Sequence, residues 1–250
     1  MQAFFEKNFG LVQMHKIRYN KLIVEGEVRR LNGLLSAQQV VYYALRTAVM
    51  LVALPVHESA HALVSHWLGD DTAKNAGRIS LNPLRHFDPW GALCMVVGGV
   101  GWARPVGIDA RRFREPKTGM ALTAAAGPLS NLLLAWLSYA LLKAVVYGGL
   151  TFSAPGTLAA EFLRLMMVMN ISLAVFNLVP VPPFDGSRVA FLFLPQKLYF
   201  RVMKYERYIM LAVLALVFLG ALDRPLSAAV GAVITLMDRL TCFVELLFGV

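Results

Sequence analysis

His57, Glu58 and His61 form the pattern H-E-x-x-H within residues 47–68, which are otherwise apolar. On a helix, positions i and i+4 share a face and lie about 6 Å apart along the axis, so both imidazoles can reach one metal ion. Ionisable side chains are costly at membrane depth and usually mark a functional site there. The pattern therefore predicts a zinc site within the membrane. The alternative, histidines that only hydrogen-bond to neighbouring helices, leaves Glu58 unexplained.

The pattern needs one more ligand, because a catalytic zinc takes three protein ligands and leaves one position for water. Asp185 is the leading candidate. Pro180, Pro182 and Pro183 cannot continue a helix and Gly186 permits a tight turn, so we expect the backbone to unwind and direct the carboxylate inward. The carboxylate would partly offset the charge of the dication in a low-dielectric site. Taken in isolation, this aspartate is equally consistent with the cap of a turn at the membrane edge.

Glu58 is the expected catalytic base, because it lies next to a ligand without being one itself. Zinc polarises a carbonyl oxygen and makes water more acidic. A carboxylate beside it can accept the proton of the attacking water and later pass it to the leaving amine. The chemistry that these residues predict is hydrolysis of a peptide bond.

Asn131 is a neutral amide at membrane depth, at the end of a Gly-Pro-x-x-Asn sequence. We expect it to hold a substrate backbone or to donate to the oxyanion of a tetrahedral intermediate; an interhelical hydrogen bond is a comparable alternative. His66 falls off the ligand face of its helix and is expected to cap the end of that helix. His86 and Asp88 are expected in a turn.

The composition is that of an integral membrane protein. Of the 250 residues, 58% are hydrophobic and 16% are charged, and the mean hydropathy is +0.59, which is more apolar than a soluble domain. The formal net charge of +9 could suggest nucleic acid. In so apolar a chain, basic residues are more simply explained as flanks of membrane helices that meet anionic lipid. A nucleic-acid partner is therefore not expected, and the lipid bilayer is.

The elements that must position these residues are predicted to be helices of an all-α polytopic membrane protein, a bundle of about four or five transmembrane helices. The interruption by Asp238, Arg239 and Glu245 makes the last of them equally consistent with an amphipathic surface helix. The predicted spans are residues 40–68, 120–147, 158–179, 208–222 and 226–250.

An apolar run at residues 90–102 is too short to cross a bilayer. Its glycines favour a re-entrant segment or extended strands, so we expect a short β element around residues 90–110, whose edge could receive an extended peptide. The domains predicted on this basis are an N-terminal interfacial or soluble arm (1–39), a membrane-embedded core (40–222) and a C-terminal membrane-associated segment (223–250).

Basic residues predict the orientation of the chain. Residues 69–118 carry eight Lys and Arg and residues 181–207 carry five, whereas residues 148–156 carry none. The positive-inside rule places both basic loops in the cytoplasm. The N-terminal arm then lies outside, against the expectation from its own six basic residues.

Three ordered motifs within residues 40–220 resemble the site-2 protease family of intramembrane zinc metalloproteases. Residues 69–89 resemble its compact bacterial subgroup, which lacks PDZ and CBS domains. The 39-residue arm and the C-terminal region depart from that pattern. The motifs are His57-Glu58-x-x-His61, Gly127-Pro128-x-x-Asn131 and Asn177-x-x-Pro180-x-Pro182-x-x-Asp185-Gly186.

The resemblance implies one zinc ion held by His57, His61 and Asp185, with Glu58 catalytic and Asn131 assisting. It also implies cleavage of membrane-spanning protein or peptide substrates near the cytoplasmic side, in regulated signalling, by a multi-pass protein of the bacterial cytoplasmic membrane. Two alternatives remain on sequence grounds. A metal or proton carrier would give Glu58 no role as a base and would usually show paired broken helices, which we do not find. A catalytically silent scaffold would keep the metal site for structure alone.

Overall fold

The computed structural model describes residues 37–86, 88, 104–195, 201–202 and 204–249. The first 36 residues of the N-terminal arm therefore lie outside the described residues, and residues 37–39 belong to the first helix. The helices are α1 (Ala37–Trp67), α2 (Thr72–Asn75), α3 (Pro116–Tyr147), α4 (Ala154–Asn177), α5 (Asp185–Phe191), α6 (Glu206–Phe218), α7 (Asp223–Leu240) and α8 (Cys242–Phe248), with short 3-10 helices at Pro83–Arg85, Ala110–Arg112 and Leu150–Phe152.

Helices α1, α3 and α4 are long and apolar enough to cross a membrane, at 31, 32 and 24 residues. They correspond to the first three predicted spans, and they make the chain an integral membrane protein. Sequence signals explain where two of them begin. Pro116 occupies the first turn of α3, where its missing N–H removes no hydrogen bond. The Ser153 hydroxyl caps α4 by accepting a hydrogen bond from the Gly156 amide.

The expectation of four or five spans is not confirmed for the part of the chain that the structure describes. Helix α6 has 13 residues, a length of about 20 Å, which is less than the roughly 30 Å of a hydrocarbon core. Helix α7 has 18 residues but lacks the composition of a spanning helix. It is amphipathic instead, and its apolar side packs on α3 and α4 through Val230, Ile234 and Met237.

The predicted β element is not confirmed either. No strand is present among the described residues, and residues 104–109 are irregular. Residues 89–103, which carry most of the predicted element, lie outside the described residues. The predicted division into an arm, a core and a C-terminal segment stays a prediction.

Helix α3 is the centre of the fold, because it packs against α1, α4, α5, α7 and α8. Its buried side carries small residues that allow close packing, together with Asn131 and Lys143. The opposite side carries a row of exposed leucines, as expected for a face that meets lipid. These leucines are Leu122, Leu129, Leu133, Leu137 and Leu141.

Asp70 ties the end of α1 to the segment that precedes α3. Its fully buried carboxylate accepts hydrogen bonds from the Thr72 amide and hydroxyl and from the Asp109 amide at 2.7 Å, and Arg112 lies 3.8 Å away. Burial acts to raise the pKa of Asp70, but the hydrogen bonds and the nearby guanidinium outweigh it, so the pKa lies below its usual range. The ionised form of Asp70 therefore stabilises this connection.

A second buried polar group, the lysine cluster, joins α3 to α7 and α8. It consists of Lys143, Tyr139, Asp238 and Glu245. The Lys143 ammonium lies 2.8 Å from an Asp238 carboxylate oxygen and 2.7 Å from a Glu245 oxygen, and Tyr139 donates a hydrogen bond to Asp238 at 2.8 Å. Lys143 is 3% exposed, so the two carboxylates, rather than water, stabilise its positive charge.

Candidate metal centre

Two helices and one helix start bring the predicted ligands together. His57 and His61 lie one turn apart on the buried side of α1. Asp185 is the first residue of α5, which follows seven non-helical residues after the end of α4. One ligand atom from each of the three residues lies within 4.8 Å of the other two. Among the described residues, this is the one group of three such side chains placed to hold a metal ion.

The three ligand atoms form a nearly equilateral triangle. His57 Nε2 lies 3.1 Å from His61 Nε2, and Asp185 Oδ2 lies 3.3 Å from the first nitrogen and 3.4 Å from the second. Tetrahedral zinc at its usual distance of about 2.0–2.1 Å from nitrogen and oxygen ligands would separate those ligands by about 3.3 Å. The spacing therefore fits three ligands of one tetrahedral zinc ion.

The outer nitrogens of both imidazoles are hydrogen-bonded to oxygens. His61 Nδ1 lies 2.7 Å from the backbone carbonyl of Thr123, and His57 Nδ1 lies 2.9 Å from Asn131 Oδ1. A carbonyl oxygen only accepts hydrogen bonds, so each Nδ1 carries the hydrogen and each neutral ring presents the lone pair of Nε2. Metal-binding histidines are commonly oriented by such partners.

Three lone-pair donors therefore face one another at the centre of the site. Asp185 Oδ2 is buried and accepts no hydrogen bond in the described structure. A buried carboxylate oxygen without a donor is costly, and two imidazole lone pairs beside it add no donor. A cation at this point would satisfy all three atoms at once, and the donor set of two nitrogens and one oxygen suits zinc.

Two glycines make room for this arrangement. A Cβ at Gly127 would lie 2.4 Å from His61 Nε2 and 2.6 Å from His57 Cε1, so only glycine lets α3 approach the imidazoles this closely. A Cβ at Gly186 would lie 2.2 Å from the Leu178 carbonyl oxygen. Gly186 was expected to permit a tight turn; the structure shows that it permits close contact between the start of α5 and the end of α4.

Glu58 is half-buried on α1 beside His57, and its carboxylate has no hydrogen-bond partner among the described residues. The next residue, Ser59, fixes a loop against the same helix. Its hydroxyl donates to the Ser80 carbonyl at 2.7 Å and accepts from the Ser80 amide at 3.3 Å. His86 is also buried and donates to the Ser80 carbonyl through Nε2 at 2.7 Å. The loop at residues 80–86 therefore lies close to the proposed base.

The other predicted residues have defined places. Asn131 is fully buried, and its amide nitrogen donates to Asn170 Oδ1 at 3.0 Å, so both ends of its side chain are used between helices. The structure thus shows the interhelical hydrogen bonds that the sequence allowed as the alternative role of Asn131. A role toward substrate stays a prediction. His66, in the last turn of α1, pairs with Asp71 at 2.5 Å and lies outside the site.

Two contributors were missed by sequence reasoning. The Thr123 carbonyl is a backbone group and gave no signal in the sequence. Asn170 did give one, because it is a lone amide in the apolar helix α4 and polar groups at that depth normally have partners.

Comparison with known proteins agrees with this geometry. Residues 146–219 match the family model for peptidase family M50. The chain is 42% identical over 141 residues to "Putative zinc metalloprotease YwhC" of Bacillus subtilis, covering 56% of this chain and 64% of that protein. It is 27% identical over 157 residues to "Putative zinc metalloprotease Rip2" of Mycolicibacterium smegmatis, covering 58% of this chain and 55% of that protein.

The matched part of the chain thus spans about 55–64% of the length of these relatives. No solved structure matches the chain with significance. The family match includes Asp185 but begins after the H-E-x-x-H pattern, so it does not cover His57 and His61. Over these regions the chain is thus similar to peptidase family M50 and to relatives named as zinc metalloproteases.

Proposed function

We propose that this protein is an intramembrane zinc endopeptidase that hydrolyses peptide bonds of membrane-spanning protein substrates near the cytoplasmic side. The observation that carries the proposal is the convergence of His57 Nε2, His61 Nε2 and Asp185 Oδ2 on one point, with a glutamate next to the first ligand in sequence. The names of the relatives support the same class of activity.

His57, His61 and Asp185 would hold one zinc ion. When bound, zinc supplies a Lewis acid that polarises the scissile carbonyl and makes water more acidic. The carboxylate of Glu58 accepts a proton from the attacking water, whose oxygen forms a new bond to the carbonyl carbon. The same proton then passes from Glu58 to the amine nitrogen as the C–N bond breaks, which returns the glutamate to its starting state.

The surroundings of the site support a substrate that lies in the membrane. The ligands sit on helices long and apolar enough to cross a bilayer or directly beside them. The basic residues that flank α3 before Pro116 support a cytoplasmic location for the Asp70 end of the bundle, within a multi-pass protein of the bacterial cytoplasmic membrane. Cleavage there would release the cytoplasmic part of a substrate, as regulated intramembrane proteolysis requires.

The test is Glu58→Gln in the purified full-length protein, with a membrane-anchored substrate. Loss of the base should lower the rate of cleavage by at least about 100-fold, while zinc content, measured by elemental analysis, stays at one ion per chain. Glu115→Gln is the matched control, because Glu115 precedes α3 and contacts Thr118 rather than the site.

The same experiment separates the alternatives. Unchanged cleavage by Glu58→Gln would refute the proposed mechanism. A wild-type protein that binds zinc, cleaves nothing and unfolds on zinc removal would be a scaffold. Transport of zinc or protons across the membrane of vesicles that contain the protein, unchanged by Glu58→Gln, would indicate a carrier.

A further inference from the structure

A directional chain of hydrogen bonds runs from α4 through α3 to the metal centre. It begins at Asn170, which is fully buried and whose amide nitrogen donates to the Met166 carbonyl at 2.8 Å. A backbone carbonyl can only accept a hydrogen bond. This contact therefore fixes which end of the Asn170 amide is the NH2 group, and it directs Oδ1 toward α3.

The orientation of Asn131 follows from that of Asn170. Asn170 Oδ1 can only accept, so the group 3.0 Å away on Asn131 is its NH2 group. The remaining atom of the Asn131 amide, Oδ1, then faces His57 Nδ1 at 2.9 Å. Three helices are linked in this way by bonds whose donor and acceptor ends are all determined by one backbone carbonyl.

The orientation of the Asn131 amide determines whether His57 Nε2 can bind a metal ion. A neutral imidazole carries one N–H, and which nitrogen carries it is set by the hydrogen bond that the other nitrogen makes or lacks. With an acceptor at Nδ1, the hydrogen of His57 stays there and Nε2 keeps its lone pair. With a donor at Nδ1, the hydrogen would move to Nε2, which points at Asp185.

We propose that Asn170 is a positioning residue for the metal ligand His57, acting through the orientation of the Asn131 amide. The proposal rests on the metal site described under the proposed function, but not on peptidase activity. Without the Asn170 oxygen, the Asn131 amide can rotate by half a turn about its last side-chain bond and present NH2 to His57. Part of the population would then carry the hydrogen on Nε2 and could not bind metal through it.

The orientation of the Asn131 amide depends on Asn170 because both side chains are buried. Asn131 and Asn170 are both 0% exposed, so water cannot replace a lost partner at either amide. In a dry environment an unsatisfied polar group costs more than in water, and side-chain networks are correspondingly sensitive to one missing member. Asn170 itself does not touch the metal ligands; it is one residue removed from them.

The test compares Asn170→Leu with Asn170→Asp in the purified full-length protein. Leucine has nearly the same size and removes the acceptor. Aspartate keeps an oxygen toward Asn131, and when protonated its hydroxyl donates to the Met166 carbonyl, so the direction of the chain is preserved. Zinc affinity, measured by competition with a chelator, should fall about 10-fold in the leucine variant and stay within about threefold of wild type in the aspartate variant.

A double-mutant cycle separates positioning from general stabilisation. If Asn170 acts through Asn131, then Asn170→Leu should cause no further loss of zinc affinity once Asn131→Leu is present. The unfolding temperature of the metal-free protein is measured in parallel to register any structural effect. Asn170→Ala, which removes the same acceptor without adding methyl groups, replaces the leucine variant if that variant does not fold.

Three results would overturn the proposal: unchanged zinc affinity in Asn170→Leu, equal losses in the leucine and aspartate variants, or an undiminished loss in the Asn131→Leu background. Failure of the peptidase proposal is recognised separately. A wild-type protein that binds zinc but cleaves no substrate would contradict the proposed activity and leave the zinc affinities of the Asn170 variants fully interpretable.

Discussion

Helix α3 takes part in two buried polar groups, and they differ in how their charges and lone pairs are matched. In the lysine cluster, the ammonium of Lys143 meets two carboxylates at 2.8 and 2.7 Å, and Tyr139 donates to one of them. In the metal centre, two imidazole lone pairs and a carboxylate oxygen face one another with no donor among them.

The difference separates a structural role from a functional one. The lysine cluster is complete with the residues of the chain, so it can hold α7 and α8 on α3 without any added component. The metal centre is complete only with a cation. Asn131 and Lys143 are twelve positions apart on one helix, about 18 Å along its axis, so each group can be altered without touching the other.

The largest expected effect is that of Asp185→Asn, which replaces the anionic ligand by a neutral amide. Zinc affinity should fall by more than about 100-fold, because losing a ligand costs more than losing an outer partner. Chelator competition measures the fall. The unfolding temperature of the metal-free variant should be no lower than that of wild type, since Asp185 Oδ2 accepts no hydrogen bond. Retention of wild-type zinc affinity would contradict the assignment of Asp185 as a ligand.

Gly127→Ala should have the next largest effect. The added methyl group would lie within 2.4–2.6 Å of atoms of both imidazoles, so α3 or the rings must move. We expect zinc affinity to fall about 10- to 100-fold. Gly231→Ala in α7 is the matched control, because nothing lies within 4 Å of its added Cβ, and alanine should stabilise that helix by about 0.5–1 kcal/mol. Equal zinc affinities in the two variants would show that the close approach at Gly127 is unimportant.

Lys143→Met tests the other side of the comparison. It leaves Asp238 and Glu245 without their cation, and the free energy of unfolding should fall by about 2–3 kcal/mol, less than for a fully buried pair because both carboxylates are partly exposed. Zinc affinity should not change. Adding Asp238→Asn and Glu245→Gln should recover part of the lost stability, and a change in zinc affinity in any of these variants would show that the two groups are coupled.

The sequence predicts that His57, His61 and Asp185 come together, and the structure places their ligand atoms within 4.8 Å of one another; their role as zinc ligands stays a prediction. His57 and His61 are four positions apart, so any helix places them on the same face. Pro180, Pro182 and Pro183 cannot continue α4, so they predict the non-helical segment before Asp185. Sequence reasoning could not find the Thr123 carbonyl, because backbone groups carry no residue signature. It left open whether Asn131 acts on substrate or forms an interhelical hydrogen bond, because the sequence does not show which helix faces its amide.

The fold was predictable to a similar extent. Continuous apolar runs located α1, α3 and α4, since length and hydropathy alone decide whether a helix can cross a bilayer. The C-terminal helices were harder to assign. The span predicted at residues 208–222 corresponds to α6, which ends at Phe218 and is too short to cross a bilayer. The tertiary contacts of α7 with α3 and α4 cannot be inferred from its own amphipathic pattern.

The smallest expected effect concerns Asp70, a third buried group that, like the lysine cluster, is satisfied within the chain. Its pKa is lowered in the folded protein, so the stabilisation is fully present above the usual value of 3.8 and is lost as the pH falls through the lower folded value. Asp70→Asn should lower stability by about 1–2 kcal/mol at pH 7, and the difference from wild type should shrink below about pH 4. Unfolding temperatures across pH 3–7 measure this. A constant difference across that range would contradict the linkage.

The exposed leucines of α3 relate the orientation of this helix to the lipid around it. In a bilayer they would meet the acyl chains, whereas Asn131 and Lys143 are buried. Turning α3 by one residue, about 100°, would bring an amide or an ammonium toward hydrocarbon. Lipid would therefore help to fix the rotation of α3, the helix that packs against both histidines. A solubilising medium with mismatched or sparse chains would relax that constraint, and metal retention would become a property of the protein and its surroundings together.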